Sequence, residues 1–332
     1  MKKIIGITFI QIIAALMIVN YHTSIINIPI LSKIAKFGFI FNTVFIFLSG
    51  FLLTHSLSKI ATSEYRDFIY KRFNRIYPSF HIALFLITLI YLLMGIDFTI
   101  NSLLLSATGF AYYFGDNIFG PHLWFVSVIL VCYLLAIPTY HALKRYPFTF
   151  FIIFLLFILI IVFILEKTFD GIYYKISDIV LYRFLYHYFV FSLAIYIGIQ
   201  KNRINFNVNA WKLIGVFIIA FLIYFVTHPE PKFSILTVIS ALIIAISLIQ
   251  IFITISPFLE KYFSYLLFLS PITYEIYLIH YSVLTAIDSK YHGEYFAYPM
   301  VFIISILLAF LILLISKQYR KLLTNCRKWI LK

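Results

Sequence analysis

The chain has 332 residues, 63% hydrophobic and 11% charged, with a mean hydropathy of +1.02, which leaves no room for a water-soluble catalytic domain of about 100 residues. Its net charge of +14 would suggest nucleic acid in a soluble protein. Here the basic residues fall in short segments between apolar runs, where they read as topology signals, so no nucleic-acid partner is expected. Cys132 sits in an apolar run and Cys326 in a basic tail, which excludes a disulfide framework and metal-ligand spacing, and no metal is expected.

Ten apolar spans follow, near 4–26, 37–57, 79–96, 121–142, 147–165, 180–199, 211–227, 234–254, 264–286 and 296–316. Lys2 and Lys3 imitate the start of a signal peptide, but the run behind them is too long and lacks a small-residue cleavage site. It reads as an uncleaved first span. That span otherwise holds no group that titrates near neutral pH and contains FIQIIAALMIVNYH, with His22 toward its far end. An ionisable side chain inside a span is costly and is a functional candidate by default.

In the second span, Ser49 and Gly50 read as a small-residue helix contact, since no nucleophile-elbow pattern surrounds the serine. Ahead of the third span, YRDFIYKRFNRIYP carries Arg72 and Arg75 three residues apart, on one face of a helix. They fit either a phosphate-bearing ligand, which guanidinium groups bind bidentately, or positive-inside anchors at lipid headgroups. The stretch 100–114 is too short for a clear span and reads as re-entrant or interfacial; were it to cross, the topology beyond it would invert. His122 and Trp124 open the fourth span. The ninth holds Tyr274, Glu275, Tyr277 and His280. A basic tail fills 317–332.

With the amino terminus inside, ten spans put most of the 26 basic residues on inner segments, Lys201 and Arg203 among them. Most of the 12 acidic residues, including Asp170 and Glu230, then fall outside. The expected fold is therefore all-α: a polytopic bundle of about ten transmembrane helices, one domain over 1–332, with both termini cytoplasmic. In this arrangement His22, His122 and His280 converge near the outer side, and Glu275 lies deeper. A buried carboxylate needs a partner or a wet cavity, and Arg183 is the candidate partner.

Five segments in order, IAALMIVNYH ending at His22, VFIFLSGFLLT at 44–54, YKRFNRIYP at 70–78, HLWFVSVILVCYLL at 122–135 and SPITYEIYLIHYSVL at 270–284, resemble the acyltransferase-3 family of integral-membrane acyltransferases. The resemblance covers about residues 7–315. It implies O-acetylation of surface polysaccharide such as O-antigen, with acetyl-CoA as donor, a glycan or lipid-linked oligosaccharide as acceptor, and a bacterial inner-membrane location. It also implies a catalytic role for His22, as general base or acyl acceptor, and donor binding by Arg72 and Arg75. His280 and Glu275 are further catalytic candidates, and Trp124, His122 and Tyr274 are substrate-binding candidates.

Two departures stand out. Gln11 occupies the place, eleven positions before His22, where the family usually has arginine; Val128 and Ile129 stand where some relatives carry an acid. Two rival readings are a flippase for lipid-linked glycan and an inactive relative. Transporters often show internal repeats, whereas the Arg72–Arg75 and Leu123–Phe125 motifs each occur once; Gln11 is the feature that favours inactivity.

Overall fold

Backbone amides in a bilayer have no water to bond, so an apolar chain of this kind must close its hydrogen bonds within helices. The computed structural model describes residues 5–23, 37–60, 64–168, 180–200, 210–227, 235–292 and 294–330. All regular elements among the described residues are helical. In chain order they are α1 (Ile5–His22), α2 (Gly38–Leu57), α3 (Tyr65–Leu93), α4 (Ile100–Ala107), α5 (Trp124–Arg145), α6 (Pro147–Thr168), α7 (Val180–Ile199), α8 (Ala210–Thr227), α9 (Ile235–Thr254), α10 (Ser256–Phe263), α11 (Thr273–Tyr291) and α12 (Ala297–Ile330). Short 3₁₀ segments lie at Ala111–Phe114, Pro121–Leu123 and Ser264–Ile272.

Among the described residues, 6 segments are long and apolar enough to cross a membrane: Ile5–His22, Ile40–Leu57, Tyr65–Leu93, Pro121–Arg145, Ser256–Tyr291 and Ala297–Asn325. Shorter apolar stretches at Pro147–Ile160, Arg183–Ile199, Trp211–Thr227 and Ile239–Thr254 fall where the fifth to eighth spans are expected. Several charges used in the topology reading, among them Lys33, Asp170, Lys201 and Glu230, lie outside the described residues.

Three boundaries differ from expectation. The third span, expected at 79–96, begins at Tyr65, so its helix runs straight through Pro78. Proline removes one backbone donor, but Pro78 is buried, and neighbouring helices shelter such a gap in membrane proteins. The ninth span is 3₁₀ up to Ile272 and α-helical only from Thr273. The tenth continues past 316 to Ile330, 34 residues in all, or about 51 Å at 1.5 Å per residue. A hydrocarbon core is about 30 Å thick, so this helix carries part of the basic tail as ordered structure. In the stretch after residue 100, α4 has 8 residues, about 12 Å, which is shorter than a span needs.

The chain divides into two compact units, Met1–Asn42 with Arg66–Leu130 and Ser256–Lys332, and Thr43–Tyr65 with Val131–Ile255. In the first, α11 packs against α1, α12 and the 3₁₀ turn at Pro121–Leu123. The Gly6 amide, one of the donors that a helix start leaves unpaired, reaches Ser256 Oγ at 3.0 Å and ties α1 to α10.

In the second unit α8 packs on α9, and polar ties such as Thr139 to the Tyr188 hydroxyl at 2.6 Å join other helices. Large apolar side chains on α6 and α8, including Phe148, Ile153, Ile219 and Phe225, are exposed. Such a surface is an aggregation liability in water and an ordinary one in lipid.

Close approach of α2 and α7 depends on glycine. A Cβ on Gly50 would stand 2.5 Å from the Phe191 carbonyl oxygen, and one on Gly198 would stand 2.5 Å from Thr54 Oγ1. The small-residue reading of Ser49 and Gly50 is what the packing uses. Gly50→Ala therefore forces the two helices apart, because backbone cannot yield as a side-chain tip does. The expected loss is about 1–3 kcal/mol, read as a lower thermal unfolding temperature of detergent-purified protein; an unchanged temperature would refute the close contact.

Candidate functional site

His22 closes α1, half-buried, and the two other histidines of the cluster, His122 and His280, are fully buried. Ring centroids lie 5.1 Å apart for His22 and His280, 5.0 Å for His122 and His280, and 6.4 Å for His22 and His122. Tyr281 completes the group, edge-on to His22 at 5.3 Å and stacked on His122 at 5.3 Å. The first unit thus brings together three imidazoles separated by 100 and 158 residues in sequence, as helix depth alone suggests.

Each ring is set by backbone. His280 turns Nδ1 back toward its own helix, 2.7 Å from the Tyr277 carbonyl oxygen and 3.3 Å from that of Ile276. His122 places Nε2 2.9 Å from the Leu278 carbonyl oxygen. A carbonyl oxygen only accepts, so in the neutral rings those nitrogens carry the hydrogen and the opposite ones, His280 Nε2 and His122 Nδ1, hold bare lone pairs. Both bare nitrogens are buried and have no hydrogen-bond partner among the described residues. Two acceptors in an apolar bundle beside a third imidazole favour a donor, or a proton, between them.

The turn carrying His122 is shaped by Gly120, whose φ of 120° lies in the region that favours glycine. A Cβ there would lie 2.6 Å from His122 Nδ1. Pro121 then starts the 3₁₀ turn, and the Tyr277 hydroxyl donates to the His122 carbonyl oxygen. Below His22, the Asn20 side-chain oxygen accepts from the Tyr298 hydroxyl at 2.8 Å, tying α1 to α12.

Trp124 turns its ring toward Tyr112, at 6.3 Å, and lines a small cavity of about 20 Å³ with Tyr112, Asp116, Asn117 and Gly120. That volume suits a single water. Tyr274 is half-buried on α11 and shares one helix face with Tyr277 and Tyr281, at i, i+3 and i+7.

Glu275 goes elsewhere. Five residues before His280, it sits about 140° around the helix from that ring and about 7.5 Å deeper. Its Oε1 accepts from Ser79 Oγ at 2.7 Å and lies 4.0 Å from Arg320 Nη2, which itself donates to Ser79 Oγ at 3.0 Å. The carboxylate's neighbouring cation is Arg320 of α12, where Arg183 was expected, because α12 continues past residue 316 far enough to deliver it.

Arg72 is half-buried with its guanidinium carbon 5.4 Å from the Phe68 ring centre, Arg75 is exposed, and Ser79 follows one turn on. Arg72, Arg75 and Ser79 are spaced i, i+3 and i+7, so they share a face of α3.

Sequence reading missed Ser79 and Arg320 as site residues and gave Gly120 no part. One signal was present for Arg320. The buried positions Ala309, Ile312, Leu313 and Ser316 form a helical stripe that Arg320 continues, four residues after Ser316.

A family model described as an acyltransferase domain matches residues 4–316 of the 332. No curated protein matches, and no solved structure matches.

Gly120→Ala should displace the His122 ring and strain the turn, at a cost of about 1–3 kcal/mol, while removing no polar group. Thermal unfolding and acyl-group transfer should both fall; wild-type behaviour in both would show that His122 does not need this close approach.

Proposed function

The chain belongs to the acyltransferase-3 family of integral-membrane acyltransferases, and from that premise we propose that it moves an acetyl group from cytoplasmic acetyl-CoA to a hydroxyl of a cell-surface or lipid-linked glycan. The observation that carries the reading is the half-buried His22 ring, 5.1 Å from His280, whose Nε2 is buried and bare. In this reading the protein sits in a bacterial inner membrane with ten spans and both termini in the cytoplasm. Acetyl-CoA approaches Arg72 and Arg75 from within and the glycan approaches His22 from without.

The chemistry follows from the tautomers. A neutral His22 that gives its N–H to the bare nitrogen of His280 keeps its own lone pair for the acceptor hydroxyl. As the hydroxyl oxygen attacks the thioester carbonyl, its proton passes to His22. The tetrahedral intermediate collapses, the C–S bond breaks, and the proton leaves with the coenzyme A thiol. In the covalent variant the His22 lone pair attacks the thioester carbonyl and coenzyme A leaves as the thiol with the imidazole proton; the glycan hydroxyl then attacks the acyl-imidazole, the acyl C–N bond breaks, and the hydroxyl proton returns to the His22 ring.

His280 is the acceptor that orients His22, His122 packs beside both rings, and Trp124 and Tyr274 lie along the acceptor and donor paths. Glu275, bonded to Ser79, positions the inner end of the path and takes no proton from substrate.

The test compares ester-linked acyl groups on surface glycans, by mass spectrometry and NMR, in cells with the wild-type gene, a deletion, and His22→Ala at matched expression. The expected outcome is loss of the ester in the deletion and a fall of about 10²- to 10⁴-fold in its rate of formation for His22→Ala, the range that a positioned acid–base group supplies. Ester retained in His22→Ala would overturn the assignment of His22. A deletion that changes glycan export but not acylation would replace the enzyme with a transporter.

His280→Leu should slow transfer less than His22→Ala does, because it removes the acceptor beside the base and leaves the base in place. The same glycan measurement checks the order of the two effects.

A further inference from the structure

Arg320 lies beyond the family-matched segment, which ends at 316, yet it belongs to the first unit and its guanidinium bonds Ser79 there. Two helices meet here in matching register. Tyr70 of α3 donates through its hydroxyl to the Leu323 carbonyl oxygen of α12 at 3.4 Å, and Ser79 of α3 meets Arg320 of α12. The stretch of α3 between these two ties is the one that carries Arg72 and Arg75. Arg75 and Arg320 both lie within Coulombic reach of the Glu275 carboxylate.

The Arg320 side chain is only partly engaged: Nη2 is used, while Nε is buried with no hydrogen-bond partner among the described residues. An open cavity lined by Arg320, Lys321, Thr324 and Asn325 adjoins it.

Two guanidinium groups, Arg75 and Arg320, share the Glu275 carboxylate, and Arg72 lies one turn from Arg75 on the same face of α3. Two cations to one carboxylate leave capacity for a further anion. The anion that suits planar, permanently charged forks is phosphate.

We propose that Arg320 is a third phosphate-binding guanidinium, acting with Arg72 and Arg75 on the nucleotide end of the acyl-CoA donor, while Ser79 and Glu275 hold it ready. This rests on the donor assignment above and extends it to a residue outside the matched domain. The same chemistry would fit an anionic lipid headgroup, so the test separates the two sources.

Full-length protein in phosphatidylcholine nanodiscs is titrated with coenzyme A, and its turnover is measured with acetyl-CoA and with S-acetyl-pantetheine, which lacks the nucleotide. The variants are Arg320→Gln, Arg320→Lys, and the pair Glu275→Gln/Arg320→Gln, which leaves no lone buried charge if the single change fails to fold.

Arg320→Gln should weaken coenzyme A binding by about 10- to 100-fold, the range of a lost charged hydrogen bond. Its KM for S-acetyl-pantetheine should be unchanged. Arg320→Lys should fall between, and the pair should weaken coenzyme A like the single change.

Coenzyme A binding that is unchanged in folded Arg320→Gln overturns the proposal and leaves the donor reading intact. An equal loss for both donors makes the role structural and overturns it too. Wild type that binds no coenzyme A overturns the donor reading, and the proposal with it. Stabilisation by added phosphatidylglycerol that needs Arg320, without any effect of Arg320 on coenzyme A, gives the phosphate to lipid and overturns the donor role.

Discussion

Carbonyl oxygens of α11 are the constraint on which the rest of the site depends. Ile276, Tyr277 and Leu278 present their oxygens to the ring nitrogens of His280 and His122, and each oxygen has a second lone pair beyond its helical bond. In an apolar bundle no water competes for these positions. The two rings are therefore held in one tautomer and orientation by groups that cannot themselves titrate. His22, at the end of a different helix, lies beside both rings, whose bare nitrogens have no hydrogen-bond partner among the described residues.

The same helix separates two kinds of polar business by its pitch. Five residues turn the face by about 140°, so Glu275 and His280 belong to different neighbourhoods although close in sequence. One neighbourhood is made of imidazoles and tyrosines. Charge gathers at the other, where Ser79 stands between a carboxylate and a guanidinium. A buried carboxylate next to a neutral base would compete for its proton; placing it one and a half turns deeper avoids that.

Helix length sets what α12 can contribute. A helix limited to the hydrocarbon thickness would stop near residue 316, and Arg320 would lie in an unstructured tail. At 34 residues α12 carries it in register alongside α3, where the Tyr70 tie fixes the approach. Gln11, with no charge of its own, leaves room for such a cation to matter.

Much of this was legible in sequence, and the limits have physical causes. Apolar runs dictated helices, because only helices and closed barrels satisfy backbone in lipid. Depth along each run put His22, His122 and His280 at one level, and the rings do meet there. The spacing of Arg72 and Arg75 put them on one face, and the packing value of Gly50 followed from its size.

Sequence could not show that α3 continues through Pro78, since the loss of one hydrogen bond is outweighed by neighbours that the local chain does not reveal. It could not pair Glu275 with Ser79 and Arg320 either, because those partners come from helices about 200 and 45 positions away and depend on rotation about each axis. Periodicity, charge and length determine which residues reach which depth. Only the packed helices decide which side chains face one another there, because azimuth is set by the contact between helices and not by any one of them.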